Sequence, residues 1–131
     1  MPIIDMTFEN GIFFCREMNT VDKDDALRWA EKVREYAEAS PHPIVALVDA
    51  TEATSITAAA REVFARASAI PGLNAAVVAA KDFRVAQNAR LTAMLSVKRH
   101  TLIFSNLPEA RARAEQLAQL FRNGGDQEVE T

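Results

Sequence analysis

From residue 44 the chain reads Ile-Val-Ala-Leu-Val, and from residue 75 Ala-Ala-Val-Val-Ala-Ala. Unbroken apolar runs of five or six residues fit strands covered on both faces. Between and after these runs the apolar positions recur at steps of three and four, the spacing of a helix that buries one stripe. Ala26, Ala30, Val33 and Ala37 predict a first helix to about Ala39, opened by Thr20 or Asp22, with Asp22, Asp24 and Asp25 in its first turn. Ala60, Val63, Phe64 and Ala67 predict a second over 57–69. Phe83, Ala86, Ala89, Ala93, Met94 and Val97 predict the inner face of a third over 83–97, capped by Asp82. Leu107, Ala110, Ala114, Leu117 and Phe121 predict a fourth behind Asn106. The stops have their own chemistry. Pro41 and Pro43 end the first helix, because proline has no N–H to donate, and Pro71-Gly72 ends the second.

Two short β-rich runs, 3–8 and 11–17, flank Glu9-Asn10-Gly11 at the start, and Asn-Gly between apolar runs is a strong hairpin signal. The central strand is expected to end at Asp49, with Thr51-Glu52-Ala53-Thr54-Ser55 as a polar loop, and a last strand runs from His100 to Phe104. The order ββαβαβαβα predicts a single α/β domain. Strands alternating with helices pair in parallel through right-handed crossovers, which gives a five-stranded, mixed, mainly parallel sheet flanked by four helices. The domain is expected to span 1–122, followed by a flexible acidic tail over 123–131.

Composition narrows the function classes. The 131 residues and 49% hydrophobic content suit one core, and the longest apolar runs fall far short of the roughly 20 residues that span a bilayer. Met-Pro-Ile-Ile-Asp at the start lacks the basic and long apolar pattern of a secretory signal, so the cytoplasm is the expected location. Cys15 is the only cysteine, which excludes an internal disulfide and a thiolate metal cluster, and its apolar neighbours suggest a buried thiol. Net charge is −3, unevenly spread: residues 81–122 carry +5 and the first 80 carry −5. The basic stretch lacks the interleaved aromatics of a nucleic-acid surface, so no nucleic-acid partner is expected.

The Ile44-Val45-Ala46-Leu47-Val48-Asp49 strand, followed by a Thr/Ser-rich turn into a helix within this element order, resembles the SpoIIAA-like family over roughly residues 5–121. That family is related in fold to STAS domains (sulfate-transporter and anti-sigma-factor-antagonist modules) and to CRAL-TRIO lipid carriers. In anti-sigma antagonists the equivalent loop carries an Asp-Ser-Ser-Gly motif with a phosphorylated serine. Here the region reads Thr54-Ser55-Ile56-Thr57-Ala58, without that motif, so the resemblance leaves Ser55 and Thr57 as phosphosite candidates beside a plain capping role. It also allows an apolar ligand or peripheral membrane contact.

Loops at the carboxyl ends of parallel strands meet helix N-termini, where free N–H groups favour ligands. Those loops supply Asp49, Thr51, Thr54, Ser55, Thr57, Lys81 and Arg84 as candidate ligand- or partner-binding residues, with Asp82, Ser105 and Asn106 beside them. Bond-making chemistry has no such constellation. None of the four glycines opens a helix after a strand, which excludes a phosphate-cradling loop, and His42 and His100 have neither triad nor metal spacing. No cofactor, no metal and no enzyme activity are therefore expected. Trp29, Val33 and Tyr36 form a stripe that is open between core, dimer surface and pocket wall. The leading expectation is a regulatory module that binds a protein partner or a second copy of itself. Its alternatives are a carrier of an apolar small molecule or lipid beneath the 83–97 helix, with Arg84, Arg90, Lys98 and Arg99 toward anionic headgroups, and a phosphoswitch at Ser55 or Thr57.

Overall fold

The computed structural model describes residues 2–96 and 101–124. Val97, Lys98, Arg99 and His100, and the tail beyond Gly124, lie outside the described residues, and with them the headgroup role expected of Lys98 and Arg99.

The hairpin comprises β1 (Ile3–Glu9) and β2 (Ile12–Val21). Asn10 and Gly11, with φ of 53° and 81°, occupy the two central positions of its turn. Two consecutive positive φ angles match the twist of the paired strands, which is why Asn-Gly stands there. Next, α1 (Lys23–Ala39) starts at Asp22, whose side chain accepts from the Asp25 N–H while Asp25 reciprocates at the Asp22 N–H, both at 3.0 Å. Thr20 stays in the strand. The remaining elements are β3 (Ile44–Ile56), α2 (Ala58–Ala67), β4 (Leu73–Ala79), α3 (Phe83–Leu95), β5 (Thr101–Phe104) and α4 (Leu107–Arg122). Thr57, Asp82 and Asn106 cap the last three helices through backbone N–H groups two or three residues on.

The sheet runs β1-β2-β3-β4-β5, antiparallel in its first pair and parallel in the other three. Each right-handed crossover steps in the same direction, so α1, α2 and α3 share one face and α4 has the other to itself. On the front, Phe13, Cys15, Ala46 and Val48 pack against Trp29 and Val33 of α1, Ala60 of α2 and Val85 of α3. On the back, Val45, Leu47, Val77 and Leu102 pack against Ala110, Ala114, Leu117 and Phe121 of α4. β3 is apolar without a break because alternate side chains feed both cores.

Two expectations are corrected. The polar segment 51–55 is strand rather than loop: β3 runs 13 residues to Ile56 and pairs with an equally prolonged β2 through Met18↔Glu52, Asn19↔Ala53 and Thr20↔Ser55. β4 stops pairing at Ala79, opposite Asp49, so the extension is a two-stranded ribbon past the main sheet, where threonine keeps the strand and water accepts its side chains. The second correction concerns α3. Phe83 is 73% exposed and Met94 69%, and both face solvent instead of the core. The inner face is Val85, Asn88, Ala89, Thr92 and Ser96, with Ala86 and Ala93 half-buried. α3 carries apolar residues on two stripes, and the phase is set by the stripe holding Val85, together with Arg61 of α2, whose Nη1 donates to Asn88 Oδ1 at 2.8 Å.

Candidate functional site

At the carboxyl-end rim the structure separates the seven candidates. Thr51, Thr54 and Lys81 do come together, bordering an open cleft with Glu52, Ala53 and Asp82. Asp49 does not reach it. Its buried carboxylate accepts from Thr51 N (3.1 Å), Thr51 Oγ1 (2.6 Å) and Arg16 Nε (3.2 Å), and Arg16 extends the network to Asp5 at 3.3 Å. A buried carboxylate surrounded by donors is a structural anchor, tying β1, β2 and β3 together on the α4 face. The Ser55 hydroxyl meets that of Thr20 across the ribbon at 2.9 Å. Thr57 Oγ1 accepts from the Ala60 N–H at 3.1 Å as the cap of α2. Arg84 stands exposed in the first turn of α3, its N–H donating to Asp82 Oδ1 at 2.8 Å.

A second place, unmarked at the rim, lies under α3. A cavity of about 90 Å³ opens on the front of the sheet, over Glu17 of β2, Val48 and Ala50 of β3, and Ala76 and Val78 of β4. Trp29 of α1, Phe64 of α2 with its capping Ser68, and Val85, Asn88 and Thr92 of α3 form its sides. The inner residues of α3 are small or short, so the helix fails to fill the space above β4. Trp29 is 4% exposed and meets Phe64 edge-on at 5.2 Å, while Tyr36 stacks on Phe8 at 4.8 Å. The aromatic stripe of α1 is therefore core, with Trp29 doubling as cavity wall.

Glu17 is 5% exposed. Burial first, and then the neighbouring Asp25 carboxylate, push its carboxyl up to about 7. Burial likewise raises the Cys15 thiol well above its usual range, with the Glu17 charge adding to the shift, so this thiol is not a nucleophile poised at neutral pH. Sequence reasoning passed over Glu17, although the signal was present: Phe13, Cys15 and Glu17 alternate along β2, and a period of two sends all three inward.

The outer face of α3 is the third feature. Phe83, Leu91, Met94 and Leu95 are all exposed along it, Phe83 beside the rim that carries Lys81 and Asp82 and the other three toward the far end of the helix. Among the described residues no three metal-ligating side chains cluster, and no helix is long and apolar enough to cross a membrane.

Neither a family model nor a curated protein matches the chain. Solved structures do. The chain is similar to an anti-sigma factor antagonist from Mycobacterium paratuberculosis, with a TM-score of 0.63 and 13% identity, covering 86% of this chain and 93% of that one. It is also similar to an uncharacterized protein of the DUF3478 family with a SpoIIAA-like fold from Shewanella loihica PV-4, with a TM-score of 0.59 and 11% identity over the same shares of the two chains. At such identities the likeness concerns architecture, and there it agrees with the strand order, the opening hairpin and the four helices: the chain has a SpoIIAA-like fold.

Proposed function

We propose that the chain is a non-enzymatic regulatory module of the STAS type that acts by binding a protein partner through the rim and the outer face of α3. The observation that carries this reading is the exposure of Phe83 and Met94 on a helix that already has an inner face to pack. A soluble domain exposes large apolar side chains singly without consequence, but Phe83, Leu91, Met94 and Leu95 lie on one element. Partner surfaces use such apolar anchors with a polar border, which Lys81, Asp82, Arg84 and Arg90 supply. Support comes also from the similar fold of an anti-sigma factor antagonist, a protein named for its action on another protein.

The test compares the wild-type chain with a Phe83→Asp/Met94→Asp double variant as bait in extracts of cells that produce it, alongside size measurement at high concentration. A partner or second copy recovered by the wild type and lost by the folded variant supports the reading. A wild type that stays monomeric and recovers nothing overturns it. Ser55→Asp in the same assay asks whether negative charge opposite Thr20 switches binding, as a phosphorylated Ser55 would.

A further inference from the structure

Most polar side chains around the cavity under α3 already have partners. Ser68 Oγ donates to the Ala65 carbonyl at 2.7 Å, Thr92 Oγ1 to the Asn88 carbonyl at 2.9 Å, and Ser96 Oγ to the Thr92 carbonyl at 2.6 Å. Glu17 stands apart. The residue is only 5% exposed, it lines the cavity, and its carboxyl makes no hydrogen bond or ion pair with any described residue. Asp25 is the neighbouring charge that it senses, and Asp25 has the same sign and is itself engaged by the Asp22 N–H and by Arg28 at 3.5 Å. Trp29 Nε1 is also buried without an oxygen or nitrogen acceptor, the weakly accepting Cys15 thiol being its neighbour. Buried polar groups are nearly always met by something, and a buried carboxyl left alone costs kilocalories.

We propose that this cavity binds a small primary amine, its ammonium group meeting the Glu17 carboxylate and its apolar body filling the space under α3 against Trp29. Each part of the ligand answers a feature of the site. Once ionised, Glu17 repels an anion and favours a cation, Asp25 beside it being already paired with Arg28. An ammonium group brings three donors to a side chain that lacks any. The sheet floor, Val48, Ala76 and Val78, offers an incoming molecule apolar contact, while the hydroxyls of Ser68, Thr92 and Ser96 have already donated elsewhere. A space of about 90 Å³ suits a body of a few non-hydrogen atoms rather than a long chain. This site is separate from the outer face of α3 and stands or falls independently of the partner reading.

Trp29 is the only tryptophan, so its emission reports on the cavity directly. The probes are isobutylamine, isobutanol and isobutyrate, which share one apolar body and differ in the head, titrated at about pH 8 with Glu17 ionised. The wild type should show a saturable change with isobutylamine, a response at least about tenfold weaker with isobutanol, and none with isobutyrate. Glu17→Gln should erase the preference for amine over alcohol. Ala89→Leu, which fills the cavity from α3 and leaves Glu17 in place, should abolish both responses. Equal titration by amine and alcohol, an amine affinity unchanged in Glu17→Gln, or a flat signal with all three probes would overturn the proposal.

Discussion

A carboxyl on the inward side of a strand loses its hydration, and at Glu17 no described residue replaces it. The consequence for stability has a definite sign. The folded state holds the proton up to about pH 7 while the unfolded chain releases it near 4.5, so the native state binds more protons across that interval. The Glu17 contribution to stability is therefore most favourable at the acid end and declines as pH rises from about 4.5 to about 7. Glu17→Gln keeps the shape and removes the ionisation. Urea unfolding should show it more stable than wild type by on the order of 2–3 kcal/mol at about pH 8, with the gap closing near pH 4.5; a gap that does not vary with pH would refute the assignment. Local chemistry at this scale was readable: Asn10-Gly11 at the turn and Asp82 and Asn106 as caps act on neighbours a few residues away. Asp49 was not, because its strand-end position suggests a free carboxylate, and the Arg16 that occupies it comes from 33 residues earlier.

At the level of elements, the phase of α3 is the point where periodicity misled. A helix with apolar residues on two stripes has two candidate inner faces, and only the packed neighbours choose between them. The sheet and Arg61 chose the stripe with Val85, the only fully buried apolar residue of that helix. Val85→Ala should accordingly cost about 1.5–3 kcal/mol in denaturant unfolding, whereas Phe83→Ala should stay within about 0.5 kcal/mol. The reverse order would place the helix in the phase expected from the sequence. The β3 extension was hidden for a related reason: Thr51 to Ser55 is polar enough to read as a loop, and its strand character depends on Met18 to Val21 running alongside. Pairing between distant segments leaves little trace in either segment alone.

For the whole molecule, alternation of strand and helix was enough to give the architecture, because right-handed crossovers leave few arrangements for ββαβαβαβα. It did not reveal that three helices share the front while α4 alone closes the back. That asymmetry makes α4 indispensable. A chain ending at Ser105 would bare Val45, Leu47, Val77 and Leu102 to water, and it should be recovered in the insoluble fraction, whereas the 131-residue chain should stay in solution. Soluble, monomeric truncated protein would contradict the assignment of α4 to the back core. The same asymmetry bears on biosynthesis. Strands laid down in sequence order let the front layer assemble as the polypeptide emerges, but its greasy reverse stays uncovered until residue 122 clears the ribosome. A ribosome stalled within the codons for α4 would therefore hold a sticky intermediate, its back layer bare until that helix is made.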